Sequence, residues 1–211
     1  MTKAQPSQPA RPLPPITMIE DGESDAFQPA LDIPDWVQAN IIAPGAPLHN
    51  PDHAHLEHAD IAYLWAAGGF VKAGRTVLGQ CEEVTFRCGA WQKGRQEQQM
   101  RHWFGRVPEY LITLDAMYVA QCSDLEFCSL LEHELYHIAQ DTDMFGDPAF
   151  KKDGMPRLFL KGHDVEEFVG VVRRYGATPD VAKIVEAASH APEVAKINIA
   201  RACGTCLLKT A

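Results

Sequence analysis

The chain has 211 residues, with 19 Lys and Arg against 28 Asp and Glu and a net charge of −9. Hydrophobic residues at 46% and charged residues at 22% make an ordinary globular composition, which excludes wholesale disorder. The acidic balance argues against a protein built to grip nucleic-acid phosphates, so direct nucleic-acid binding is not expected.

No membrane span is expected either. Ile61 to Val71, the longest nearly apolar run, reaches about half of the roughly 20 residues that a bilayer needs. The opening MTKAQPSQPARPLPP has no apolar centre, so it does not read as a secretory signal, and a cytoplasmic location is expected. In a reducing compartment Cys81, Cys88, Cys122, Cys128, Cys203 and Cys206 read as thiols or metal ligands rather than as a disulfide framework.

Residues 1 to about 30 carry Pro6, Pro9, Pro12, Pro14, Pro15 and Pro29. The expected organisation is a flexible Pro-rich tail over 1–49, a domain over 50–200 and a short CxxC tail over 201–211. Asp32-Ile33-Pro34-Asp35 is able to start one short helix in the first tail. A longer helix is predicted from Asn50-Pro51, with Asn50 as N-cap and Leu56, Ile61, Leu64 and Trp65 at roughly helical spacing. Val77-Leu78 and Val84-Thr85-Phe86 are short β-like pieces, and the polar run Gln92 to Met100 reads as an exposed loop.

Glu109 to Leu114 is the clearest strand. The clearest helix follows it. Ser123 and Glu126 fit a capping box, and Phe127, Leu130, Leu131, Leu135 and Ile138 carry the helical period to about Gln140. Asp141 to Gly162 reads as a long loop, foldable as a hairpin with Arg157 to Leu160 as one arm. Two further helices are predicted, from about Asp164 to Tyr175 and from about Pro179 to His190. Together these elements predict a compact α+β domain.

His133-Glu134-Leu135-Tyr136-His137 is an HExxH motif inside the capped helix. A spacing of four puts His133 and His137 on one face, one turn apart, where two imidazoles can share one Zn²⁺. Such a metal brings the pKa of a water to about 7. Glu134 projects beside the pair and can take that water's proton as general base. A third protein ligand is expected downstream, in Gly162 to Phe168. His163 is preferred, because a loop can deliver it and three neutral histidines leave the metal its full charge. Glu166 and Glu167 remain alternatives, as ligands or as partners of a ligand's other ring nitrogen.

From these residues the chain resembles the putative phage metallopeptidase family. The resemblance runs through Ala73 to Gly79, the Tyr110 to Leu114 strand, the HELYH helix and HDVEEFVGVVRRYG from His163 to Gly176, about residues 58 to 180 in all. The arrangement is also similar to SprT-like zinc proteases, in which a Gly-His-x-x-x-Phe-like element bears the third ligand. Here Phe168 stands one residue further on. The resemblance implies a zincin-like (minigluzincin or SprT-like) domain, with a small twisted sheet packed on helices that include the HExxH helix. It further implies a zinc peptidase, a peptide or protein substrate, and the host cytoplasm if the chain is phage- or prophage-encoded. Zincins bind peptides along an edge strand, for which Tyr110 to Leu114 is the expected candidate.

Two other functions stand beside this one. The chain could be a zinc-stabilised interaction protein that cleaves nothing. It could also be a SprT-like protease acting on DNA-associated proteins. Weaker signals are Cys203-Gly204-Thr205-Cys206 as half of a structural zinc site, the histidines His49, His53, His55 and His58, and Arg173 or Arg174 as oxyanion stabilisers.

Overall fold

The computed structural model describes residues 11–20, 26–72, 75–166 and 169–192. The strands are β1 (Phe27–Pro29), β2 (Ile61–Ala66), β3 (Phe70–Lys72), β4 (Arg75–Val77), β5 (Gly79–Glu83), β6 (Tyr110–Asp115), β7 (Ile138–Gln140) and β8 (Leu158–Leu160). The helices are α1 (Thr17–Glu20), α2 (Ile33–Val37), α3 (Ala90–Phe104), α4 (Ala116–Gln121), α5 (Asp124–Tyr136), α6 (Val169–Tyr175) and α7 (Pro179–Ser189). The architecture is mixed α+β, as expected.

Ile61 to Trp65 are apolar at consecutive positions, and all five are buried. That pattern suits a strand covered on both faces, and β2 replaces most of the predicted long helix. The predicted start of that helix is real. Asn50 accepts the Asp52 N–H at 3.0 Å, but the turn it caps is a short 3-10 helix, Pro51–Leu56. β2 lies inside a four-stranded sheet of order β1-β2-β6-β5. It runs parallel to β6 from Ile61↔Tyr110 to Ala66↔Asp115, and antiparallel to β1. β5 closes the other side, antiparallel to β6 with Gly79↔Leu114 and Glu83↔Tyr110.

The two faces of the sheet have different covers. Ile61, Tyr63, Trp65, Ile112 and Leu114 face the main core with Phe127, Leu130, Leu131 and Leu135 of α5. Ala62, Leu64 and Leu111 face the other way, against Val84 and against Trp103 and Phe104 at the end of α3. The polar stretch read as a loop is therefore helical. Lys93 and Arg101 each pair with Glu97 one turn away, and Gly105 in the left-handed region (φ 72°) ends the helix.

The proline-rich first fifty residues also differ from a flexible tail where they are described. Ile33, Trp36, Val37, Ile41 and Ile42 join the main core, and Trp36 meets Phe127 edge-on at 5.4 Å between ring centroids. Arg11 bridges to Asp124 at 3.2 Å. Pro34 sits in the first turn of α2, where a proline is tolerated, and the apolar residues that follow it are buried. Cys203 and Cys206 lie outside the described residues.

Candidate metal centre

The centre is built on α5. Ser123 Oγ accepts the Glu126 N–H and the Glu126 carboxylate accepts the Ser123 N–H at 2.8 Å, the expected capping box. Phe127, Leu130, Leu131 and Leu135 then bury one stripe completely. This stripe fixes the helix's rotation and sends His133 and His137 toward one place.

The helix stops earlier than predicted. His137 is its C-cap, and the chain turns directly into β7. β7 pairs with β8 from Ile138↔Leu160 to Gln140↔Leu158, so Leu158 to Leu160 is a hairpin arm as expected, but its partner arm comes from the predicted end of the helix, and the pairing returns the chain to its start. Leu160 leads straight into Lys161-Gly162-His163. His163 lies in that segment and not at a helix start, because residues 161–166 are not helical and α6 is described from Val169.

The three imidazoles converge. His133 Nε2 and His163 Nε2 lie 3.2 Å apart, and the ligand atoms of all three histidines fall within 4.8 Å of one another. His137 is 8% exposed and donates Nδ1–H to the Lys161 carbonyl at 2.7 Å. That bond leaves its Nε2, which is buried with no hydrogen-bond partner. A buried unpaired imidazole nitrogen is costly, and a cation removes the cost. Two nitrogens on one tetrahedral zinc at 2.0–2.1 Å stand about 3.3 Å apart, close to the His133–His163 spacing. The three residues therefore fit a metal ion, and among the described residues they are the one His, Cys, Asp or Glu cluster that does.

Burial lowers the His137 pKa from the ordinary 6.5, and positive charge on His133 or His163 lowers it further, against the Lys161 bond. The ring is held neutral, the form that binds metal.

Glu166 is not in the cluster. Its carboxylate approaches the other side of His163, Oε1 to Nδ1 at 3.7 Å, and is largely exposed. Glu167 lies outside the described residues. Glu134 is fully buried, with its carboxylate against Gly79 of β5. A cleft of about 400 Å³ opens beside the cluster, lined by Phe70, Val77, Cys81 and Leu160 as well as His137 and His163.

β6 is not an edge strand, since β2 and β5 pair with both of its sides. The edge beside the cleft is β5. Leu78 C=O accepts from Asp115 N–H and Val84 N–H donates to Glu109 C=O, which assigns the even-numbered residues to β6. Cys81 and Glu83 then turn their N–H and C=O outward. A parity rule of this kind is invisible until the register is known.

The histidine-rich stretch serves the fold. His53 is buried beside Tyr136 and 3.6 Å from Glu132, and His55 Nε2 meets the Ile138 carbonyl at 2.7 Å. Arg174 lies over the ring of Tyr175, and neither Arg173 nor Arg174 lines the cleft. Lys161 and Gly79 were not singled out from the sequence. Lys161 acts through its backbone, which carries no residue-type signal, and Gly79 matters only through its neighbour.

A helix-borne histidine pair met by a third histidine from a returning hairpin defines a mixed α+β protein with a candidate metal centre. The chain matches the family model described as Putative phage metallopeptidase over residues 34–189, and it belongs to that family. No curated protein and no solved structure matches it. No helix among the described residues is long and apolar enough to cross a membrane.

Proposed function

We propose that the chain is a zinc-dependent peptidase of zincin-like construction, with His133, His137 and His163 as ligands and Glu134 as general base. The observation that carries this reading is the buried, unpartnered Nε2 of His137 beside the Nε2 atoms of His133 and His163. Zinc held there supplies Lewis acidity, polarising a carbonyl oxygen and lowering the pKa of water to about 7.

The chain's own residues do the rest. The outward N–H and C=O of Cys81 hold an extended peptide along β5, in the cleft against Leu160 and His163. Glu134 accepts a proton from the attacking water as its oxygen bonds to the carbonyl carbon. It then delivers that proton to the departing amide nitrogen as the C–N bond breaks. Burial excludes bulk water from the carboxylate, which favours a defined proton path. Glu166 faces Nδ1 of His163 and supports that ring's orientation.

The test is Glu134→Gln in the full chain, with metal content and cleavage of a casein-type protein substrate measured together. The expected result is unchanged zinc and a loss of turnover of about 10²-fold or more. Retained turnover removes Glu134 from its role. A wild-type chain that binds no zinc defeats the reading.

A further inference from the structure

Gly79 opens β5 on the side that faces α5. A Cβ built on Gly79 would stand 2.7 Å from Glu134 Oε1, 3.2 Å from Glu134 Cδ and 3.1 Å from Leu130 Cδ1. The first distance is shorter than real carbon contacts allow. The carboxylate cannot simply lean into solvent, because Glu134 is fully buried and Leu130 and Leu135 beside it are buried too. Two residues along the same face of β5, Cys81 is also buried.

Backbone conformation does not call for a glycine at this place. Its backbone is not among the positive-φ glycines. A glycine in a strand sacrifices packing and chain entropy, and often marks a close approach by another group. Here the approaching group is the Glu134 carboxylate.

We propose that Gly79 is a positioning residue for Glu134: its missing side chain creates the space against β5 in which the carboxylate sits. The effect on rate rests on the peptidase reading above, while the effect on geometry does not. Any side chain at 79 contests that space. The carboxylate is the far end of a flexible chain and yields first, while the three histidines stay where they are.

The experiment is Gly79→Ala in the full chain, alone and combined with changes at Glu134. Metal content per chain is expected to match wild type. Turnover is expected to fall about 10²-fold, as a displacement near 1 Å can cause. In a Glu134→Gln background the same change should alter the residual rate by less than about twofold, since the group it acts through is already disabled. A structure of Gly79→Ala should show the carboxylate moved off β5 with the histidines in place. Should Gly79→Ala destabilise the chain, a Glu134→Ala background is expected to tolerate it.

Equal rate losses in the wild-type and Glu134→Gln backgrounds overturn the inference, because Gly79 would then act through the peptide edge. Equal destabilisation with and without the carboxylate overturns it as well. An unmoved carboxylate in the Gly79→Ala structure does so whatever the activity. A wild-type chain that holds zinc but cleaves nothing removes the peptidase reading, and the structural comparison then decides the inference alone.

Discussion

His137 and Lys161 hold each other twice. The Lys161 N–H donates to the His137 backbone carbonyl at 2.7 Å, and His137 Nδ1–H donates to the Lys161 carbonyl at 2.7 Å. The first bond extends the β7–β8 ladder by one step. The second fixes the ring's tautomer and leaves Nε2 for a metal. Because Lys161 is two residues from His163, one contact sets both the helix ligand and the loop ligand. A hairpin of some twenty residues therefore ends with its third histidine already near the first two.

Metal removal should be visible in stability. Free zinc at about 100 times its Kd adds about 2.7 kcal/mol to the folded state. For a chain of this size that corresponds to a melting temperature higher by roughly 5–10 °C. A chelator is expected to erase this difference in the wild type. His163→Ala should melt at the chelated value with or without zinc, whereas Lys161→Ala should keep the zinc-dependent shift, since its contacts to His137 are made by the backbone and its side chain pairs with the exposed Asp164 instead. Differential scanning calorimetry with metal analysis checks all three. A wild type indifferent to chelator would speak against the centre.

The metal-free chain has a pH dependence of predictable sign. The His137 pKa is depressed below the ordinary 6.5 by burial first and by the neighbouring histidines second. The unfolded chain thus takes up this proton before the folded chain does. The contribution is fully present above about pH 6.5 and is lost as pH falls toward the depressed folded value. One proton of difference gives a slope of at most about 1.4 kcal/mol per pH unit. Urea titrations of the chelated protein between pH 7.5 and 5 should show falling stability. His137→Gln should flatten that part of the curve, and an unchanged slope would remove His137 as its source.

Local signals read well, and pairings did not. Ser123 and Glu126 announce their helix because both partners lie within four residues. The His133–His137 spacing needs only a helix to become a site. Tyr110 to Leu114 reads as a strand from its own residues, but its central place depends on β2 and β5, which lie elsewhere in the chain. Ile61 to Trp65 misleads as a helix because a strand buried on both faces shows no alternation, and its apolar spacing also fits a helix. Gln92 to Met100 misleads as a loop because the helix around it has few buried apolar residues: Met100 is buried, and Trp103 and Phe104 pack on the sheet's second face. Of the candidate centre, His133 and His137 are legible from spacing, and His163 from its place after a loop that folds back.

The capping box offers a test of stability apart from the site. Ser123→Ala leaves the Glu126 N–H without its acceptor and breaks the reciprocal bond, at a cost of about 1 kcal/mol. The cap lies at the far end of α5 from His133 and His137. Zinc affinity is therefore expected to stay within about threefold of wild type while the urea midpoint falls. Loss of zinc in Ser123→Ala would mean that the whole helix, and not its first turn, depends on the cap.

Thiol reactivity should separate the cysteines by their surroundings. Burial, followed by the charges of Asp124 and Glu132, pushes the Cys128 thiol up to about 12. Burial, followed by the Glu134 and Glu82 charges, pushes Cys81 up as well, and burial raises Cys122 against the opposing Arg11. Cys88 is exposed, with its thiol 3.2 Å from Gln96 Oε1. Alkylation needs the thiolate, of which an ordinary cysteine holds a few per cent at pH 7 and a buried thiol such as Cys128 far less. Iodoacetamide on the folded chain is therefore expected to label Cys88 quickly, and Cys81, Cys122 and Cys128 only after denaturation, as read by peptide mass spectrometry. Cys81 is the informative case. It lines the cleft yet faces α5, so rapid labelling there would show that β5 separates from the helix and that Glu134 is less enclosed than its complete burial indicates.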